Sequence, residues 1–359
     1  MKTTACVLAG VLMLLSGAAS VAAQNSTAGT GSSGASLFPP IPGLGSYDMG
    51  GMKVKAAARV GYQWIGLNFN LPTSDAIGIF DSAPIDIQLK DARVWVGSLG
   101  LEARVTPRFS IFANGEANAK IKAGVVTSET PLGTGFFAPY EWNASGIEWW
   151  AIEGAAAYSV SDGAAIFAGL RRDHLSFGMT NPRDQFGNPI NEAISVPGIV
   201  LLTIANAADV QIKLWLPYVG LRVIGPNYRA SVIWSPFANA AVKIPDRLVV
   251  NIFEFPPPSV TFLNGLEWRY SMFQTGALFE GQLEYDVNLG PNLFVNVWAK
   301  GSWLRVRGRG NLDEILNQFV RIGLVPPLEV FSSLQGNQSA TGKLSRSLIA
   351  VGLTANMEF

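Results

Sequence analysis

The sequence predicts an all-β protein, a transmembrane antiparallel up-and-down β-barrel. Many segments alternate apolar and polar residues with a period of two, as in a strand with one apolar and one polar face. Only 14% of the residues are charged, well below the roughly 25% of soluble domains. Beyond the N-terminal segment, no apolar run is long enough for a membrane-spanning helix. Such a composition suits a barrel whose outer wall meets lipid.

The chain begins with a segment typical of a secretory signal peptide. Lys2 supplies a positive charge, residues 5–15 form a short apolar stretch, and Val21, Ala22 and Ala23 offer small residues for cleavage. The only cysteine, Cys6, lies within this segment. The mature chain is therefore expected to have neither a disulfide framework nor a thiolate metal site.

Ten strands follow, with twelve as the alternative. An even number is required when both chain ends lie on the same side of a membrane barrel. Short connections containing Pro, Gly, Asp or Asn alternate with long ones, as in membrane barrels. The predicted strands are 52–70, 88–105, 109–123, 147–160, 164–177, 209–223, 229–244, 266–287, 293–309 and 345–359.

The last predicted strand ends on an aromatic residue. Ile349, Val351, Leu353 and Met357 alternate with more polar or smaller positions up to Phe359. This end resembles the terminal strand of bacterial outer-membrane β-barrel proteins, and the resemblance covers about residues 52–359 without indicating a closer family. It implies integration in the outer membrane, short turns in the periplasm, and recognition of the strand ending at Phe359 by the barrel-assembly machinery.

The signal-peptide pattern, a Gly/Ser/Pro-rich composition and the barrel resemblance divide the chain into three parts. Residues 1–23 are expected to be the signal peptide, residues 24–51 a flexible Gly/Ser/Pro-rich lead in the periplasm, and residues 52–359 the barrel. Outer-membrane lipid and lipopolysaccharide are the expected partners.

Strand parity predicts which charged residues line the lumen. The set is balanced in sign, and a barrel of this size leaves at most a narrow path between its side chains. We therefore expect a plugged or narrow polar lumen, with a narrow porin or uptake channel for small or apolar solutes as the alternative. The predicted lumen residues are Glu102, Arg104, Glu116, Lys120, Glu153, Arg171, Asp173, Lys213, Arg222, Glu280, Glu284 and Lys300.

Two short turns predict cross-strand ion pairs. A loop of residues 161–163 places Glu153 opposite Arg171, and pairing of residue 287 with residue 293 places Glu280 opposite Lys300. Directly opposed side chains on one sheet face are close enough to interact.

Basic residues are expected at the outer rim. Arg305, Arg307 and Arg309 continue the lipid-facing parity beyond the apolar span, and Arg172 and His174 share the outward parity of their own strand. Arginine binds phosphate in a bidentate manner, so a contact with lipopolysaccharide phosphates is predicted. A solvated rim without specific contacts is the alternative.

Enzymatic chemistry has little support. His174 is the only histidine, and its neighbour Asp173 points to the opposite face of a strand, so the two do not form a dyad. No metal-ligand spacing is present, and 26 acidic residues balance 26 basic ones, which excludes a basic field for nucleic acid. We predict a non-enzymatic protein without cofactor or metal, in a structural or surface-binding role. An outer-membrane enzyme using His174 is a further alternative.

The long connections are unusually apolar for exposed loops. Residues 196–202, 248–258 and 325–331 are examples. They are expected to pack into a cap over the barrel mouth, and the alternative is that they extend the strands outward. Residues 311–319 predict a short amphipathic helix through Ile315, Leu316 and Phe319.

Overall fold

The computed structural model describes most of the chain after residue 46. Its described residues are 47–49, 52–71, 85–119, 125–128, 141–183, 186–189, 193–196, 200–254, 260–274, 277–290, 293–323 and 327–357. Among these residues, no helix is long and apolar enough to cross a membrane. Lys120 and Phe359, and all of the predicted signal peptide, lie outside the described residues.

The regular elements of the described chain are β-strands, as predicted. In chain order they are β1 (Tyr47–Met49), β2 (Met52–Leu71), β3 (Ile85–Arg104), β4 (Phe109–Ala119), β5 (Val125–Ser128), β6 (Glu141–Ser161), β7 (Ala164–Arg183), β8 (Ala193–Val196), β9 (Val200–Ile224), β10 (Tyr228–Ser235), β11 (Ala238–Glu254), β12 (Val260–Gln274), β13 (Ala277–Gly290), β14 (Leu293–Ile322) and β15 (Leu328–Met357). The short strand β1 pairs with β2, so strand structure begins inside the stretch expected to be a flexible lead.

Antiparallel pairing closes the sheet on itself. The strands pair in the circuit β2, β3, β4, β6, β7, β9, β10, β13, β14 and β15, and β15 pairs back to β2. A second set of segments continues this wall at one end. There β5 joins β3 to β6, while β11 and β12 lie between β9 and β14. The circuit is therefore a ring of antiparallel strands, as in a β-barrel, and the part of β15 before Lys343 is paired with β14 alone among the described ladders.

Side chains alternate between the two faces of the wall. Along β7, exposed Ile166, Ala168 and Leu170 alternate with buried Phe167 and Arg171. Large apolar residues on the outer face include Val60, Leu101, Ile152, Val219, Leu283, Val297 and Val351. An apolar exterior with a filled interior is the pattern of a barrel embedded in lipid.

Aromatic residues mark both edges of the apolar exterior. Phe109, Tyr158, Tyr228 and Tyr285 are exposed beside the short turns. Toward the other end, exposed tryptophans lie on different strands: Trp64, Trp95, Trp215 and Trp303. Belts of this kind form where a barrel wall meets the two membrane interfaces.

The strands are longer than predicted at the end away from the short turns. Residues 310–344, expected to be a long loop, instead belong mostly to β14 and β15, which pair continuously from Leu293 to Ile322. The predicted helix over 311–319 is wrong. Leu312 and Leu316 have helical spacing, but they also share one parity, and pairing with β12 and β15 on either side fixes the extended form.

The expected loop cap is also corrected. Residues 200–202 belong to β9, residues 248–254 to β11, and residues 328–331 to β15. The described parts of these apolar segments therefore extend the barrel wall outward. Their backbone polar groups are satisfied by strand pairing, which a packed loop could not provide as easily.

Candidate functional site: the lumen and the outer rim

Buried charges occupy the half of the lumen nearer the short turns. Arg171 and Asp173, both on β7, are 3% and 1% exposed, and Arg171 Nε donates to Asp173 Oδ1 at 2.6 Å. Arg171 Nη1 also donates to Glu280 Oε2 on β13 at 2.9 Å. On the other side, Arg346 Nη2 on β15 lies 2.7 Å from Asp173 Oδ2. We call these four residues the central network; it ties together three strands across the interior.

A second cluster, the lower network, lies closer to the short turns. Its centre is Glu284, which accepts a hydrogen bond from Arg59 Nη2 at 2.8 Å. Arg229 Nε lies 3.2 Å and Arg222 Nη2 lies 3.9 Å from Glu284 Oε2. Arg229 also binds Asp286, with Nη2 to Oδ2 at 2.6 Å. Three arginines therefore surround one carboxylate at this level.

A small polar cavity separates these clusters. Its volume is about 70 Å³, and its lining includes Glu116, Glu153 and Lys300. Lys300 Nζ donates to Glu116 Oε2 at 2.7 Å, and Asn114 Nδ2 donates to Glu153 Oε1 at 3.1 Å. One water needs about 10–15 Å³ of such space, so the cavity has room for a few waters.

Of the two predicted cross-strand oppositions, the structure contains one and lacks the other. Glu153 lies opposite Arg171 in the β6–β7 ladder, as the short turn predicted. The predicted opposition of Glu280 and Lys300 is wrong. Lys300 lies opposite Gln282, and Glu280 lies opposite Ser302. Leu293 pairs with Gly290 and not with residue 287, and a register shift between Asn288 and Gly290 moves the rest of the ladder back by one, so the observed pairing differs from the predicted one by two residues.

The other predicted lumen residues mostly face inward. Glu102, Glu116, Arg222 and Glu284 are buried, and Arg104 is half-buried. The prediction that Lys213 lines the lumen is wrong, because Lys213 is exposed and points outward between buried Ile212 and Leu214.

Sequence reasoning missed the partners that complete both networks. Arg59 on β2, Arg229 on β10 and Arg346 on β15 all share the inward parity of their strands. All three lie inside the predicted strands, so parity alone could have found them.

The outer half of the lumen is filled by apolar side chains. Among them are Leu304 and Val306 on β14 and Leu344 and Leu348 on β15, all less than 2% exposed. We call the buried apolar cluster of this region the apolar seal; it also includes Phe69, Leu89, Trp149, Phe177, Leu214, Val242 and Tyr270. A polar lumen was expected, and the structure adds this apolar cluster to it, with buried Arg346 lying between Leu344 and Leu348 on β15.

His174 lies on the outer face of the wall. Its ring packs on Trp150, with centroids 5.3 Å apart, and its strand neighbour Asp173 points into the lumen. Arg172, also on the outer face, lies over Trp150 and Trp215 at 5.6 and 5.0 Å from the ring centroids. His174 and Asp173 are therefore on opposite sides of the wall, and no His–Asp dyad is formed.

The three rim arginines also point outward. Arg305, Arg307 and Arg309 are exposed on β14, beyond exposed Trp303. Arg307 lies opposite exposed Lys343, and Arg309 Nε donates to Ser339 Oγ at 2.7 Å. This face therefore presents a column of cations just beyond the apolar exterior. Among the described residues, no group of three or more His, Cys, Asp or Glu is arranged to hold a metal ion.

Solved structures with a similar fold are outer-membrane β-barrels. The outer membrane protease OmpT from Escherichia coli is 13% identical, with a TM-score of 0.45, and the alignment covers 84% of this chain and 96% of that one. A Pseudomonas aeruginosa FadL homologue is 9% identical over 85% and 90% of the two chains, with a TM-score of 0.32. The P. putida toluene transporter TodX is 8% identical over 85% and 90%, with a TM-score of 0.28. No protein-family model and no curated protein sequence matches the chain.

Proposed function

We propose that this chain is a non-enzymatic, non-conducting protein of the bacterial outer membrane that acts through its outer surface. The apolar seal carries the proposal. Beyond a polar cavity of about 70 Å³, side chains such as Leu304, Leu344 and Leu348 are less than 2% exposed inside the barrel. A water-free apolar constriction blocks ions because they lose hydration there without gaining polar partners.

The barrel is proposed to have ten strands. Three segment pairs, β4 with β5, β10 with β11, and β12 with β13, occupy the same place in the wall at different heights. Each pair counts as one interrupted strand, which gives an even number with both ends on the side of the short turns. In this orientation the N-terminal lead and the short turns face the periplasm, and β14–β15 project outward.

A non-enzymatic role is supported by the position of the only histidine. His174 stacks on Trp150 at the outer face of the wall, away from the buried carboxylates. Asp173, Glu116, Glu280 and Glu284 are instead engaged by arginine or lysine, as in the 2.7 Å pair of Lys300 and Glu116, while Glu153 accepts from Asn114. Charges neutralised in this way fix the barrel shape and are poorly placed to attack a substrate.

The basic rim is proposed to bind lipopolysaccharide phosphates. Arg305, Arg307 and Lys343 stand side by side on β14 and β15, immediately beyond Trp303 at the edge of the apolar exterior. A second group, Arg172 and His174, lies beside tryptophans of the same belt. The height of these cations matches the level at which lipid phosphates of the outer leaflet are expected.

Conductance in planar bilayers tests the proposal. The refolded wild-type protein is expected to show no channel steps, whereas Leu304→Ser combined with Leu344→Ser should open a path through the seal. The lipid-facing Val351→Ser is the matched control and should remain silent. Regular, long-lived current steps recorded with the wild-type protein would overturn the hypothesis that the barrel does not conduct.

A second candidate is passage of apolar solutes, favoured by the same buried apolar interior. Such solutes would need the side chains of the seal to separate, and would not carry current. Uptake of a hydrophobic dye into vesicles with a lipopolysaccharide leaflet distinguishes the two roles. Faster uptake with the wild-type protein than with protein-free vesicles would favour this second candidate.

A further inference from the structure

The lipid-facing wall carries a groove near the periplasmic turns. Its volume is about 760 Å³, and its lining is almost wholly apolar. The floor contains Ala156 on β6 and Ala168 on β7, which lie directly opposite each other in the ladder. Around it stand the larger exposed side chains of Ile166, Leu221 and Trp234. The groove exists because two alanines face each other between these bulkier side chains.

A cation stands at the periplasmic end of this groove. Tyr158 and Phe109 form that end of the lining, and Arg108 follows in the short turn between β3 and β4. The backbone carbonyl of Arg108 accepts a hydrogen bond from Ser159 N–H at 2.8 Å, which fixes Arg108 beside Tyr158. The Tyr158 hydroxyl interacts with the Arg108 guanidinium and, with a smaller contribution from Asp162, raises the pKa of Arg108.

We propose that the groove holds an acyl chain of one phospholipid from the periplasmic leaflet, with its phosphate bound by Arg108. The inference rests on the proposed membrane orientation. An apolar channel that ends in an exposed arginine is complementary to an acyl chain joined to a phosphate. Tyr158 lies between the apolar groove and Arg108, and its apolar ring and polar hydroxyl suit the boundary of the hydrocarbon.

The shape of the groove favours a lipid chain over a second barrel. The floor is recessed between Ile166, Leu221 and Trp234, while the wall of another copy would be convex. A flexible acyl chain fits such a recess. It restores dispersion contacts with the groove walls that an empty gap would lose. Lipopolysaccharide also has phosphate and acyl chains, but it belongs to the opposite leaflet, away from the periplasmic turns.

Native mass spectrometry of the refolded protein tests the site. The protein is incubated with phosphatidylglycerol in mild detergent, with or without lipopolysaccharide. Wild type should retain one phospholipid, and lipopolysaccharide should not displace it. Arg108→Gln should lower retention about threefold, as for loss of an exposed charge pair. Ala168→Phe, which fills the groove, should lower it about tenfold.

The matched control is Ala299→Phe, an exposed lipid-facing alanine on β14 outside the groove, which should retain phospholipid like the wild type. Equal retention by all four proteins would overturn the proposal. Displacement by lipopolysaccharide would also overturn it, as would a wild-type dimer that Ala168→Phe converts to a monomer. Heat-modifiable migration and insertion into vesicles are measured on the same samples, so failure of the barrel itself would be seen separately.

Discussion

Arg171 and Glu280 bind each other across the lumen, with Nη1 and Oε2 2.9 Å apart. They belong to β7 and β13, which are separated in the wall by β9 and β10. The contact therefore spans the interior and does not follow a hairpin. Because Arg171 also binds Asp173, which contacts Arg346, one buried chain of charges joins opposite parts of the barrel.

Breaking this chain should destabilise the barrel. Glu280→Leu leaves Arg171 buried with one carboxylate fewer, and the expected loss in free energy of unfolding is about 3 kcal/mol. Urea unfolding in lipid vesicles measures it. The control is Arg321→Ala, which removes the exposed pair Arg321–Glu329, where the side chains are 56% and 52% exposed. That change should cost under about 1 kcal/mol, and similar losses for both variants would contradict the role of the central network.

The sequence predicted the local parts of this site. Period-two patterning placed Glu102, Glu116, Arg222 and Glu284 inside the barrel. The predicted loop of residues 161–163 gave Glu153 opposite Arg171, and the ladder reaches this opposition with Ser161 opposite Ala164 and a register shift between Ser159 and Ser161. In the β13–β14 hairpin the same reasoning failed, because the turn-forming residues between 288 and 292 allow several loop lengths. A shift of two residues keeps the faces unchanged and alters every partner.

Contacts across the lumen could not be predicted in this way. Arg171 faces Glu153 in the ladder, yet its hydrogen bonds go to Asp173 and Glu280. Which inward side chains meet depends on barrel radius and strand stagger, which are set by the whole wall. The same holds for the apolar seal, since its members come from strands far apart in sequence.

Tyr270 and Gly342 form a close contact in the outer part of the barrel. The Gly342 N–H donates to the Tyr270 hydroxyl at 2.7 Å, and a Cβ at Gly342 would lie 2.5 Å from Tyr270 Cε1. Gly342→Ala should therefore lower the free energy of unfolding by about 1–3 kcal/mol. Gly301→Ala is the matched control, because a Cβ there meets nothing within 4 Å. Equal unfolding midpoints for the two variants would refute the steric argument.

The hydroxyl of Tyr270 predicts a stability loss at alkaline pH. Tyr270 lies opposite Leu312, well beyond Trp303 and the apolar exterior, and its hydroxyl is within 2.8 Å of the Gly308 carbonyl oxygen. Burial raises the pKa of Tyr270 above its usual value near 10. The folded state therefore holds this proton more tightly, and the resulting stability declines as pH rises above about 10. Tyr270→Phe should show a smaller decline in urea unfolding between pH 9 and about 11; an unchanged slope would contradict the assignment.

The rim arginines should matter only where lipid phosphates are present. Replacing Arg305, Arg307 and Arg309 together by serine removes three exposed cations of β14 and one hydrogen bond, from Arg309 to Ser339. If these cations bind lipopolysaccharide, the melting temperature should fall in lipopolysaccharide-containing bilayers and change little in neutral detergent. Ser339→Ala is the control that separates loss of charge from loss of the hydrogen bond, since it removes the same hydrogen bond while keeping all three charges.

The dependence on salt provides a further check of the rim. Attraction between exposed arginines and phosphates is screened as the ionic strength rises, with a Debye length of about 10 Å at 0.1 M and 3 Å at 1 M. The stabilisation of the wild type by lipopolysaccharide should therefore shrink with added salt, while the triple variant shows little stabilisation at any salt concentration. An equal loss in both media, insensitive to salt, would mean that the arginines act within the protein through contacts such as the one between Arg309 and Ser339.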